Sequence, residues 1–124
     1  MSKHPPTASS SEKRRDTRVT VELTAHCQIG HAFHRLPVSD LSRGGLRLET
    51  VDHHQEGTPV RVALAVPSPL EEAGLRFCTL SGQVAHNAVD PWGRPLGVGV
   101  RFVEPDQGDA DLEALRAYLR SLGA

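Results

Sequence analysis

Cysteine is nearly absent from this 124-residue chain, which carries only Cys27 and Cys78. Two thiols outside any Cys-x-x-Cys spacing make no disulfide framework. Aromatics are scarce as well: three phenylalanines, one tyrosine and one tryptophan. Single-stranded nucleic acids are held on aromatic stacking platforms. With the phenylalanines expected mostly inside the core, no such platform forms, and a nucleic-acid partner is not expected. No apolar run is long enough to span a bilayer. The opening stretch MSKHPPTASSSEKRR offers no apolar core for a signal peptide. The expected location is a reducing cytoplasm, with no membrane contact.

Charge of one sign is missing overall, since the formal net charge is −1. It is unevenly spread, however. From Met1 to Arg18, five cations (Lys3, Lys13, Arg14, Arg15 and Arg18) face Glu12 and Asp16, so this arm carries +3 and the remainder −4. A basic arm on an acidic body points to an anionic ligand.

What is present is alternation. Val19, Val21, Leu23, Ala25, Cys27 and Ile29 alternate with polar residues, the period-two pattern of a half-buried strand. Gly30 and His31 turn the chain into a second strand from Ala32 to about Val38. DLSRGG, from Asp40 to Gly45, reads as a tight turn whose glycines serve either positive φ or a close approach. Further strands follow around Leu46–Leu48, Val60–Val66, Arg76–His86 and Leu96–Phe102, the last two separated by the turn DPWGRP. Asp109 or Asp111 can cap a helix over about 109–122, with Leu112, Leu115, Leu119 and Leu122 on one stripe. The fold class expected is all-β: a six-stranded antiparallel barrel with a C-terminal amphipathic helix. Residues 1–12 form a disordered tail and 13–124 one domain, with a basic arm at 13–18.

Two clusters carry chemistry. Arg14-x-x-x-Arg18 precedes the first strand, and Asp40-x-Ser42-x-x-Gly45 lies between the second and third. If the second strand returns antiparallel, the clusters meet at one end of the barrel. Guanidinium forks bind phosphate oxygens and stack on purines. An aspartate can accept from the N1–H and N2–H donors of a guanine edge. A serine hydroxyl can join it, and glycines such as Gly44 and Gly45 let a base or phosphate approach the backbone. The set suits a ligand with phosphates and guanine edges.

KRRDTR followed by DLSRGGLRLET resembles the two signature motifs of the PilZ domain family, and GVGVRF, Gly97 to Phe102, is similar to the strand that closes its barrel. The resemblance runs from about Arg14 to the C-terminus. It implies a six-stranded barrel that acts as a receptor for cyclic di-GMP, without a catalytic role or a further cofactor. It implies that Arg14 and Arg18 grip phosphate and guanine, that Asp40 and Ser42 bond the guanine, and that Gly45 permits the approach. Lys13, Arg15 and Gly44 complete the candidate ligand-binding set. Lys13, just before the first motif arginine, leans the expectation toward a stacked pair of ligands. The resemblance further implies that the ligand orders the arm against an effector protein, an output such as motility being one possibility. A degenerate module that binds only protein is the alternative, and a small β-barrel nucleic-acid binder that uses the basic arm is a weaker third reading.

Other features have plainer readings. His26, His31 and His34 do not converge at a familiar metal-ligand spacing, so no metal is expected and the strand histidines belong to the surface. Cys27 reads as a small buried hydrophobe, and Cys78 similarly. Gly97-x-Gly99 lets a barrel strand bend. Trp92 either packs over the barrel end or touches ligand. The leucine stripe seals the barrel or seeds a dimer, which leaves monomer and homodimer open. No nucleophile with an adjacent base stands out, so catalysis is not expected.

Overall fold

A computed structural model describes residues 17–68 and 71–123. The proposed tail and Lys13, Arg14 and Arg15 lie outside the described residues. Six strands run in order: β1 (Val19–Ile29), β2 (Ala32–Leu41), β3 (Gly45–Leu48), β4 (Pro59–Pro67), β5 (Leu75–Val89) and β6 (Pro95–Phe102). A helix, α1, spans Ala110–Ser121. Every strand pairing is antiparallel, and the order β1-β2-β3-β6-β5-β4 closes on itself through β1 and β4. The closing seam is short, pairing His26–Ile29 of β1 with Val60–Ala63 of β4.

The alternation sets the inside. Ala25, Cys27 and Ile29 of β1 point to the core with Val60, Val62, Leu64 and Val66 of β4 and Cys78, Leu80 and Val84 of β5. Val98 and Val100 close the layer from β6. Burial pushes the Cys27 thiol up to about 11, and both cysteines are free. Asp109 caps α1, its carboxylate accepting from the backbone N–H of Asp111 and Leu112 at 2.9 and 3.2 Å. Leu112, Leu115 and Leu119 are buried against the barrel. The fourth stripe residue, Leu122, falls at the C-cap, one residue past the helix, and is exposed. Asp111 accepts from the Arg76 guanidinium at 3.1 Å and from the Thr79 backbone N–H at 2.9 Å, which ties the helix to β5.

Three expectations need correction. β2 extends to Leu41, so Asp40 sits in paired strand rather than in the turn. Phe33 and Phe77 are not core residues: each is 79% exposed, on the outward parity of β2 and β5. The histidines are not all surface groups either. His34 faces the partly buried side of β2, and His54, from the β3–β4 loop, meets it edge-on with ring centroids 5.7 Å apart. Burial, then the neighbouring His34, lowers the pKa of His54. Asn87 holds that loop by accepting from the His54 N–H and donating to its carbonyl.

Candidate functional site

Arg18 of the first cluster meets Asp40 of the second at one end of the barrel, and Arg14 lies outside the described residues. The register Val19↔Leu41 and Thr20↔Asp40 brings the start of β1 beside the end of β2. Arg18, one residue before β1, thereby reaches Asp40, and Nη1 lies 2.7 Å from Oδ1. The Arg18 side chain is 49% exposed and that of Asp40 21%. An ion pair this wet adds little to stability, so both groups stay open to exchange partners.

The adjoining turn is held differently. Ser42 is buried, at 2% exposure. Its backbone N–H donates to the Gly45 carbonyl at 2.8 Å, and its Oγ accepts from the Gly45 N–H at 3.1 Å. The hydroxyl also lies 3.2 Å from the Gly45 carbonyl. Ser42 thus closes the turn upon itself, the local role open to any Ser turn. On the far side, the Arg43 carbonyl accepts from Nε and Nη2 of Arg116 on α1, each at 3.3 Å. Arg116 also pairs with Glu104 and Glu113.

Of the two uses open to its glycine, close approach is the one found at Gly45, and the neighbour is protein. A Cβ at Gly45 would run into the Val100 carbonyl oxygen across the β3–β6 seam. The backbone carbonyl of Gly44 accepts from the Phe102 N–H at 2.8 Å, extending the same seam.

These elements enclose a cleft of about 340 Å³ lined by Arg18, the Ser42–Gly45 turn, and Ala85, His86, Gly99 and Arg101 from β5 and β6. His86 and Arg101 were not anticipated. His86 arrives through the register: Asp40 pairs with Arg47, Arg47 with Gly99, and Gly99 with His86, one row across β2, β3, β6 and β5, while Arg101 pairs with Gly45. The His86 imidazole lies against Gly99, where a Cβ would collide with the ring. Gly99 therefore makes room for a side chain, beside the irregularity of β5 between Val84 and His86. Arg47 belongs to the same row, and its Nε is buried without a hydrogen-bond partner among the described residues. A histidine across from a glycine leaves no local sequence signature. The only hint was the pair of glycines at outward positions of β6.

The cleft is cationic at its rim through Arg18 and Arg101 and presents one carboxylate, Asp40, at its edge. Among the described residues, no three His, Cys, Asp or Glu side chains gather as a metal centre. Trp92 is away from the cleft lining and exposed at the β5–β6 turn, with the Arg94 guanidinium 5.2 Å above its ring.

Comparison with solved structures yields several barrels of the same kind. One is the Bacillus subtilis inhibitor of motility, MotI/DgrA, with a TM-score of 0.67 and 20% identity over 88% of this chain and 51% of that one. Another is the Borreliella burgdorferi PlzA protein in complex with c-di-GMP (TM-score 0.56, 13% identity, 96% of this chain and 55% of that one). A third is the PilZ domain of YcgR from Escherichia coli with c-di-GMP (TM-score 0.56, 16% identity, 89% and 94%). The chain spans about half the length of the first two. At such identities the likeness establishes the fold. No curated protein matches at a significant level. The sequence profile described as "PilZ domain", in contrast, matches residues 12–121. A match over nearly the whole chain, on a six-stranded barrel in which Arg18 meets Asp40, places this protein in the PilZ domain family.

Proposed function

We propose that the chain is a cyclic di-GMP receptor that reports occupancy of the cleft to a partner protein. The observation that carries this reading is the Arg18–Asp40 pair beside the preformed Ser42–Gly45 turn. Arg18 offers a fork to phosphate, and Asp40 offers carboxylate oxygens to the N1–H and N2–H donors of guanine. A ligand bearing both groups satisfies the two partners separately and replaces a weak surface ion pair with two charge-assisted contacts. Ser42 and Gly44 then shape the turn against the base. Arg14 and Arg15 close over the ligand from the arm, and Lys13 adds charge suited to two stacked ligands. The neighbours PlzA and YcgR were solved with this nucleotide, which supports the ligand class.

The mechanism is a population shift of the arm. Ordering it costs conformational entropy, and the new phosphate and guanine contacts offset that cost. The re-posed arm is the signal, and its reader is an effector protein. A motility output is favoured by the name of the MotI neighbour, inhibitor of motility. The reading is of a receptor and not of a catalyst: the hydroxyl of Ser42 is engaged with Gly45. A reducing cytoplasm suits two free, buried thiols. No helix among the described residues is long and apolar enough to cross a membrane.

Isothermal titration calorimetry of the chain with cyclic di-GMP tests the proposal. Saturable binding is expected, and Arg18→Ala should weaken it by about tenfold or more while leaving the circular dichroism spectrum unchanged. The stoichiometry reports one ligand or a stacked pair. A folded sample that gives no heat and displaces no labelled ligand would overturn the reading in favour of a module that binds only protein.

A further inference from the structure

The outer surface of β2, β1, β4 and β5 carries a second feature, at the end of β1 opposite Arg18. Two rows cross it: Phe33, Gln28, Arg61 and then Arg35, His26, Ala63. Phe77 lies outward on β5, beside Ala65 of β4. Arg35, Arg61 and His26 are exposed with the two phenylalanines. A hollow of about 280 Å³ opens between the rows, lined by His26, Gln28, Phe33, Arg61, Ala63 and Thr79. None of these residues lines the cleft of the candidate ligand site.

The chemistry of this face is one-sided. The strand stretches that build it, 24–28, 32–37, 61–65 and 77–83, contain no aspartate or glutamate, although the chain as a whole is slightly acidic. Phenylalanine and arginine enriched together, with carboxylates and lysine missing, is the composition of a protein interface core. An exposed phenylalanine does nothing for the barrel, whose core lies on the other parity of the same strands.

We propose that this face docks an acidic segment of a partner protein, which seats one apolar side chain in the hollow beside Phe33 and pairs its carboxylates with Arg35 and Arg61. The charge of the face selects the sign of the partner. The register selects the mode: this face lies where His26–Ile29 pair with Val60–Ala63, so a partner cannot add a strand there and must lie across the surface through its side chains. Two arginines are too few to hold a nucleic-acid backbone at physiological salt, so an acidic protein fits better than RNA. The proposal does not depend on the nucleotide reading.

The test uses the full chain and a fluorescein-labelled amphipathic peptide, with Leu and Phe along one stripe and Glu on both flanks. Its controls are the same peptide with Lys in place of Glu, and oligouridylate. Saturable anisotropy with the Glu peptide is expected, about tenfold weaker with the Lys peptide. Phe33→Ala and Arg61→Glu should each weaken it about fivefold or more without moving the thermal midpoint, because both side chains are exposed. Equal binding of both peptides, or binding of neither, would overturn the proposal. Phe33-dependent binding of oligouridylate alone would do so in favour of RNA. Self-association abolished by Phe33→Ala, seen by sedimentation, would do so in favour of a second copy of the chain.

Discussion

The Ser42–Gly45 turn and the Arg18–Asp40 pair stand side by side at the cleft, yet they are held in opposite ways. The turn is buried, its serine bonded on both backbone and side chain, with Gly45 pressed against β6 and Arg116 behind it. The pair joins a half-exposed Arg18 to a largely covered Asp40 through one contact of 2.7 Å. One half of the site is thus built by folding itself. The other is left in an arrangement that costs little to undo. The division suits the receptor proposed above: the rigid half would supply geometry without further ordering cost, and the loose half the change that a ligand can drive.

Substitutions can break this contrast, starting from the rigid half. Gly45→Val sets a branched side chain against the Val100 carbonyl. It should cost about 3 kcal/mol of unfolding free energy, read as a fall in the urea midpoint. A midpoint equal to wild type would mean that the β3–β6 seam yields easily. Ser42→Ala strips the Gly45 N–H of its acceptor in a buried turn and should cost about 1–2 kcal/mol by the same measurement.

The loose half should respond with almost nothing. Arg18→Ala is expected to change stability by less than about 0.5 kcal/mol, since it deletes only a solvent-screened pair. A larger loss would show that Arg18 belongs to the fold, and the division would collapse. The smallest effect concerns neither half. Burial and the neighbouring His34 lower the pKa of His54 below its ordinary 6.5. The unfolded chain then binds the proton more readily than the native one. Stability from this group is present above pH 6.5 and is lost as pH falls through that value toward the lowered one. Unfolding curves between pH 7.5 and pH 5 should display this slope, and His54→Gln should flatten it.

Much of this was legible in the sequence. Alternation located all six strands and their inner faces, and spacing located the helix and its three buried leucines. The antiparallel return of β2 was enough to bring Arg18 to Asp40. What escaped was anything set by pairing between distant strands. Gly45 and Gly99 matter because of the Val100 carbonyl and the His86 ring that face them across β6 and β5. Nothing next to either glycine in the chain reports that. Phe33 and Phe77 are a different kind of miss. Their parity, opposite to Leu36 and Val38 and to Cys78 and Leu80, already placed them outside. In a half-buried strand, position on the strand decides which side a residue faces, and residue type does not.

The β3–β6 seam also has a consequence in time. Both signature motifs lie in the first half of the chain, whereas the strand that Gly45 packs against is the last of the barrel. Hairpins β1–β2, β4–β5 and β5–β6 can pair locally, but β3 must wait for β6 and β1 for β4, the slow, non-local steps of such a topology. On the ribosome, a nascent chain therefore displays its arginines and its Asp-x-Ser turn long before it owns a binding site. The proposed site and the barrel are completed together, because the cleft needs β5 and β6 as well as the turn.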